Sequence, residues 1–401
     1  MAVLVQKYGG SSVADVEKVG HVADRVVAAR RAGWDVVVVV SAMGKSTDEL
    51  LALAKRVAAA SGAASREGRE APRRELDMLV STGERVTMAL LSIAISGRGE
   101  EAISFTGSQS GILTNDRHFD ARIIEVRPHR IEDELARGRV VIVAGYQGMS
   151  YKREITTLGR GGSDTTAVAL AAALGAERCE IYSDVDGVYT ADPRVVAEAR
   201  HLPEVDFATL SEMSEAGAKV LNAQAVEWAR RNKIALHARR TADPVAAGGA
   251  ARETVAAPGA APGARAVVGL DNVVRASVRG GAASFLERAH EREVPLLDVL
   301  EHEAGDAFAV IPLLNVPDWS AARAALAPTL GGGSLEDDLA YVSVVGDGLL
   351  NDRGLPRFAA ALASAGVRAL SRGGHALRLS ALVRRGDSAA AQRALHAAFI
   401  G

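Results

Sequence analysis

The sequence predicts an α/β protein: a mostly parallel sheet sandwiched by helices over residues 1–245, a linker over 246–265, and two small α+β units over 266–332 and 333–401. Three observations predict it. Short β-branched runs alternate with long amphipathic segments through the first 240 residues. Two glycine-rich turns lead from a strand into a helix. Beyond residue 265 the pattern strand, helix, strand, strand occurs twice. At 401 residues the chain also exceeds the roughly 250–300 at which a single core stops growing, so at least two domains are expected.

The elements follow in order. Residues 3–7 read as a strand, and Val13, Val16, Val19, Ala23, Val26 and Val27 then recur at helical spacing up to Gly33, which makes 9–12 a strand-to-helix turn. A strand at 35–40, a helix at 47–60, a polar linker at 61–72 and a helix at 73–96 come next. Further strands are expected at 102–105, 140–144, 180–183 and 234–237, with helices at 165–174 and 219–231. The stretch from Asp243 to Arg265 is rich in Ala, Gly and Pro and has little periodicity, so it reads as an interdomain connection. The two similar stretches after it cover 272–330 and 340–399; in the second, strands at 341–345, 368–370 and 376–382 alternate with helices at 354–365 and 388–398.

Composition excludes several classes of function. Apolar residues at 48% and charged residues at 24% are those of an ordinary globular protein. The 47 basic and 49 acidic residues are mixed along the chain, so no nucleic-acid partner is expected. The longest run of Val, Ile and Leu, 36–40, is far short of the roughly 20 residues that span a bilayer, so no membrane partner is expected either. Lys7 and two glycines interrupt the first ten residues, which do not read as a secretory leader; the expected address is the cytoplasm. With Cys179 as the single cysteine, neither an internal disulfide nor a thiolate cluster can form. His118, His129, His201, His237 and His302 lack the spacing of a zinc site.

Four segments carry chemistry. KYGGSS (7–12) places a lysine at the end of a strand and two glycines before a helix, where backbone donors and the helix dipole suit a phosphate; a plain tight turn reads the same way. GRGGSDTTA (159–167) is a second such turn, with Ser163 or Asp164 placed to cap the following helix. Two glycine turns in one α/β domain can face each other across the carboxyl ends of the strands, where such sheets bind ligands. SDVDGVYTADPR (183–194) leaves a strand with two aspartates that either hold Mg²⁺ through water or cap turns. In STGERV (81–86), Glu84 sits within a helical period, where a glutamate is ordinarily a surface ion-pair partner.

Taken together with VSAMG (40–44), FTGSQSG (105–111) and GAKVL (217–221), these segments stand in the order and spacing found in aspartokinases, and the resemblance runs from residue 3 to about 239. It implies the amino-acid-kinase fold and transfer of the ATP γ-phosphoryl to the side-chain carboxylate of L-aspartate, the first step toward lysine, threonine and methionine. A carboxylate is already anionic near pH 7, so this chemistry needs no general base; it needs cations and alignment. The resemblance makes Lys7 and Asp164 catalytic, Asp164 orienting either the lysine or the substrate. It gives Gly9, Gly10 and Ser11 to the phosphates. Arg160 would take the substrate carboxylate, Glu84 its ammonium, and Ser41 and Thr47 would contact the amino acid. Ser183, Asp184, Tyr189, Arg194 and Lys219 fall to ATP and to Mg²⁺, the metal carried mainly on the ATP phosphates.

The C-terminal repeats resemble the paired ACT domains of aspartokinases, which implies a homodimer or higher homo-oligomer and feedback by lysine or threonine. Here the chain departs from the pattern. RGGAAS (279–284) replaces the usual Asp-x-Pro-Gly turn, and NDRG (351–354) replaces a serine, histidine and proline pattern, so weakened or altered feedback is expected. LNAQA (221–225) and HARRTAD (237–243) also depart, at the join between domains. Two other readings compete: a kinase for a related substrate such as glutamate or acetylglutamate, and a catalytically silent sensor whose ACT pair binds an amino acid. Glu84 with Arg160 favours an α-amino acid, and the intact Lys7, Arg160, Asp164 and Lys219 weigh against a silent protein.

Overall fold

The computed structural model describes residues 2–60, 71–159, 161–218, 221–244, 252–259, 262–316, 318–351 and 353–401. The chain forms two compact units that interleave in sequence. The first takes residues 1–188, 202–207 and 220–259; the second takes 189–201, 208–219 and 260–401.

The first unit is built on an eight-stranded sheet in the order Glu204–Asp206, Glu253–Ala257, Leu236–Arg240, Arg178–Ser183, Val3–Tyr8, Asp35–Val40, Val140–Ala144, Ala102–Phe105. Every neighbouring pair is parallel except Leu236–Arg240 with Glu253–Ala257. Helices cover both faces of such a sheet, so the central strands can be continuous valine runs: Val36 to Val40 are all fully buried. Helix Val16–Arg31, capped by the Asp15 carboxylate on Lys18 N–H at 2.9 Å, lays Val19, Val22, Ala23 and Val26 into one core with Leu91 and Ile95 of helix Arg73–Ser96. Glu180 stitches the middle of the sheet; it accepts from Gln6 Nε2 at 2.8 Å, Arg239 at 2.8 Å and the Tyr182 hydroxyl at 3.1 Å. Helix Arg73–Ser96 is long and apolar enough to cross a bilayer, yet it buries Asp77, Ser81, Glu84 and Thr87, the polar inner face of a domain helix.

Three features of this unit differ from the expectation. Helix Gly162–Ala173 begins three residues before 165, because residues 162–171 are buried all round and leave no amphipathic period to mark its start. Glu253–Ala257, inside the stretch expected as linker, is a strand of the main sheet. A second sheet, Ile123–Val126, Ile112–Thr114, Gln147–Ser150 and Ile155–Thr157, has strands of three or four residues, too short for an alternation to declare them. The expected linker at 61–72 lies mostly outside the described residues.

The second unit carries one antiparallel six-stranded sheet, Asp298–Glu301, Ala307–Pro312, Gly263–Val278, Ser334–Asp347, Arg378–Arg384, Ser371–His375, with helices Ala282–Glu291, Trp319–Leu326, Gly354–Ser364 and Ser388–Phe399. The two repeats are therefore joined edge to edge. Strand Gly263–Val278 serves both: Val267 belongs to the core of Phe358, Leu379 and Leu395, whereas Val274, Ala276 and Val278 pack with Phe285, Ile311 and Leu326. A cut at residue 266 falls inside this strand, which periodicity alone does not reveal because its two halves serve different cores.

Candidate active site

The parallel register sets where side chains can gather. Tyr8 lies level with Val40 on one side and Tyr182 on the other, so the segments after strands Val3–Tyr8, Asp35–Val40 and Arg178–Ser183 leave the same carboxyl edge. The chain steps from Val3–Tyr8 to a neighbour on one side and later returns to Arg178–Ser183 on the other, a switch point of the kind where α/β sheets bind ligands.

At this edge Lys7 Nζ stands 2.6 Å from Asp164 Oδ1, with about a tenth of either side chain exposed. Lys7 is placed by its strand, and Asp164 by the first turn of helix Gly162–Ala173. That helix is not capped by Ser163 or Asp164 as the sequence suggested. Its N-cap is Gly161, in the left-handed region at φ 74°, with no side-chain acceptor. Both side chains are freed for the site: Asp164 meets Lys7, and Ser163 Oγ accepts from the Ser41 hydroxyl at 2.9 Å. Asn222 closes over the turn so tightly that a Cβ on Gly161 would lie 2.4 Å from its Nδ2.

The KYGGSS turn is held from two sides. Gly9 N–H donates to Tyr182 carbonyl at 3.2 Å, and Gly44 N–H donates to Gly10 carbonyl at 3.0 Å. A Cβ on Gly10 would sit 2.9 Å from Ala42 O and 3.0 Å from Gly44 O, so glycine is demanded by close backbone approach. Ser11 is exposed in the short helix Gly10–Val13, and Ser12 is tied to the Thr241 hydroxyl at 2.6 Å.

Glu84 departs from the surface ion-pair reading. It is 3% exposed, and its Oε1 accepts from Ala42 N–H at 3.1 Å. Its Oε2 is buried with no hydrogen-bond partner among the described residues. Burial pushes its carboxyl up to about 7 against the pull of the Ala42 N–H. A buried carboxylate oxygen without a donor is suited to an incoming cation such as an ammonium. Gly83 and Met43, the sequence neighbours of Glu84 and Ala42, line a cleft between helices Ser46–Ala60 and Arg73–Ser96, with Thr47 half-buried in the first turn of the former.

The segment after Tyr182 is less assembled. The Ser183 hydroxyl is 3.3 Å from both Val185 N and Val185 O, and Asp184 is exposed. Tyr189 and Arg194 fall in the second unit, Tyr189 edge-on to His201 at 5.4 Å and Arg194 paired with Asp192 at 2.7 Å. Arg160 and Lys219 lie outside the described residues. Among the described residues no group of three or more His, Cys, Asp or Glu side chains is arranged to hold a metal. Sequence reasoning missed Ser163 as the partner of Ser41, the Ala42 N–H and Asn222. The last had a signal, since an Asn before a helical run reads as an N-cap, and its side chain indeed accepts from Gln224 N–H and Ala225 N–H.

A parallel sheet that gathers a lysine–aspartate pair, a buried glutamate and two glycine turns at its switch point defines a class, an enzyme that handles phosphate beside a small charged substrate. Comparison with known proteins makes the class specific. The Amino acid kinase family matches residues 2–239. The aspartokinase of Mycolicibacterium smegmatis is 42% identical, the alignment covering 100% of this chain and 96% of that one. Aspartokinase 2 of Bacillus subtilis is 37% identical over 100% of this chain and 98% of its own. Among solved structures, E. coli aspartokinase III in complex with aspartate and ADP superposes with a TM-score of 0.84 at 26% identity, covering 100% of both chains. The chain belongs to the amino acid kinase family and, within it, to the aspartokinases.

Proposed function

We propose that the chain transfers the γ-phosphoryl of ATP to the side-chain carboxylate of L-aspartate, giving 4-phospho-L-aspartate and ADP. The observation that carries this reading is the Lys7–Asp164 pair at 2.6 Å on the carboxyl edge, with the Ser41–Ser163 bond and the open oxygen of Glu84 beside the same strands. The relative from E. coli, held with aspartate and ADP, supports the substrate pair.

In the reaction a carboxylate oxygen of aspartate forms a bond to the γ-phosphorus as the bond to the ADP oxygen breaks, and no proton needs to move. Lys7 supplies a fixed positive charge to the transferring oxygens, and Asp164 holds its ammonium in place. Gly9, Gly10 and Ser11 are assigned to the phosphates; since the Gly9 N–H is engaged by the Tyr182 carbonyl, Gly9 serves by letting the backbone turn close to Lys7, and the donors are left to Gly10 and the Ser11 hydroxyl. Glu84 takes the α-ammonium, Arg160 a carboxylate, and Ser41 and Thr47 line the amino acid. Ser183, Asp184, Tyr189, Arg194 and Lys219 serve the nucleotide. Mg²⁺, carried on the ATP phosphates, adds charge that lowers repulsion between the two anions. A kinase using ATP and a free amino acid fits the cytoplasmic address.

Altered feedback is proposed on one observation. The Gly280 N–H, on the turn before helix Ala282–Glu291, already donates to the Asp306 carboxylate at 2.9 Å. The chain's own acid thus uses a donor that an effector carboxylate would need. A homodimer is proposed through the sheet of the second unit, whose edge strand Asp298–Glu301 leaves Val299 and Leu300 exposed.

The test is trapping with hydroxylamine, which converts an acyl phosphate to a hydroxamate. Mg·ATP with L-aspartate is expected to give aspartyl hydroxamate in step with ADP. ADP without hydroxamate, or neither product from folded protein that binds ATP, removes the kinase reading and favours the silent sensor.

A further inference from the structure

Seven residues before Glu84 on the same helix, Asp77 is fully buried and faces the same way, since positions seven apart share a helix face. It is not part of the KYGGSS or GRGGSDTTA turns or of the STGERV stretch of its own helix, and nothing in the proposed reaction uses it. Two separate chain segments, 118–119 and Thr157, nonetheless converge on its carboxylate. Oδ1 accepts from the Thr157 hydroxyl at 2.5 Å, both oxygens lie within 3.2 Å of Phe119 N–H, and Oδ2 meets His118 Nδ1 at 2.7 Å.

The partners are the ones that lead into the site. Thr157 ends strand Ile155–Thr157, and the next residues are Leu158, bonded through its N–H to the Tyr146 carbonyl at 2.9 Å, and Gly159, left-handed at φ 74°. From there the chain enters Gly161 and the helix that presents Ser163 and Asp164. Thr157 carbonyl also accepts from Ala121 N–H at 2.8 Å, and Asp120 presses on the turn, its Oδ1 3.1 Å from where a Gly159 Cβ would be. Phe119 stands at φ 71°, a left-handed conformation rare for a bulky residue, and its N–H is one of those bonded to Asp77. One carboxylate therefore fixes both the strand that feeds the glycine turn and a strained loop that packs on it.

We infer that Asp77 is a positioning residue for the phosphoryl acceptor: it locks helix Arg73–Ser96, and so Glu84, in register with the turn that delivers Ser163 and Asp164. The span from Asp77 to Glu84 is about 10 Å of helix at 1.5 Å per residue, so a small tilt at one end displaces the other by a catalytically significant amount. The Thr157 hydroxyl and the Phe119 N–H both donate to the carboxylate, and the Phe119 N–H lies within reach of both its oxygens. An Asn at 77 has one acceptor oxygen and turns an NH₂ toward groups that themselves donate. This inference rests on the reading of Glu84 as the ammonium partner.

The experiment measures aspartate and ATP kinetics of the full-length protein with four variants: Asp77→Asn, Thr157→Val, Thr157→Ser and Glu84→Gln, each with a thermal melt. Asp77→Asn and Thr157→Val are expected to raise the aspartate KM about tenfold or more while the ATP KM stays within about twofold, and Thr157→Ser is expected to restore the parent value. Should Asp77→Asn fail to fold, the Thr157→Val and Thr157→Ser pair decides alone. Equal rises in both KM values, or an unchanged aspartate KM beside an impaired Glu84→Gln, overturn the positioning role while leaving the pocket reading intact. An unchanged aspartate KM in Glu84→Gln overturns the pocket reading, and the inference with it.

Discussion

The buried Glu84 carboxyl ties the stability of the fold to pH. The folded protein holds a proton on Glu84 up to about pH 7, whereas a free glutamate releases it near 4.5. Between those values the folded state binds more protons than the unfolded chain, so stability of the unliganded protein falls as pH rises through the window, by about 3 kcal/mol at most. Glu84→Gln removes this dependence: its melting temperature is expected to match the parent near pH 4.5 and to exceed it at pH 8. Aspartate binding has the reverse sign, because the ammonium needs the ionised form. The aspartate KM of the parent is expected to rise about tenfold per unit below pH 7, and that of Glu84→Gln to be high and flat. Lys7 is held by Asp164, and its Nζ lies 3.4 Å from where a Gly9 Cβ would be. Lys7→Met is expected to cut turnover by about 10³-fold or more with ATP still bound, read by single-turnover ADP release and by nucleotide titration.

At the scale of elements, the first glycine turn is specified by backbone approach at Gly10 and the second by the left-handed backbone of Gly159 and Gly161. A methyl at Gly10 would press on the carbonyl oxygens of Ala42 and Gly44, neither of which can rotate away. Gly10→Ala is expected to destabilise by about 1–3 kcal/mol and to lower kcat with it, measured by denaturant titration and steady-state rates. These turns were legible in sequence because each packs its chemistry into a few adjacent residues: a lysine, two glycines and a hydroxyl in one, two glycines, a serine and an aspartate in the other. The main strands were legible for a similar reason, since a strand buried on both faces is a plain valine run. What stayed hidden is non-local or aperiodic. Asp77 reads as one more helical acid until Thr157 and Phe119 arrive from 80 and 42 residues away. Helix Gly162–Ala173 has no polar face, and the strands of the small sheet are too short to alternate. Glu253–Ala257 hides in an alanine-rich stretch whose composition reads as linker.

For the molecule as a whole, the family match ends at residue 239, while two full-length relatives extend the likeness through the C-terminal unit. That unit carries RGGAAS at 279–284, where Asp306 engages the Gly280 N–H, the observation on which altered feedback is proposed. Turnover is accordingly expected to stay near its uninhibited value with lysine, with threonine and with both, measured as ADP release at saturating substrate. Steep inhibition by either would show that another donor set binds the effector. The exposed edge at Val299 and Leu300 predicts a dimer by sedimentation that Leu300→Asp shifts toward monomer.

The central claim is that an aspartate carboxylate accepts phosphoryl at the Lys7 edge of the sheet. It is tested most directly by ADP release from Mg·ATP with L-aspartate beside L-glutamate and N-acetylglutamate, in the parent and in Lys7→Met. Turnover with aspartate alone, lost in the variant, is the predicted result. Preference for another acid, or aspartate turnover that survives Lys7→Met, would contradict it.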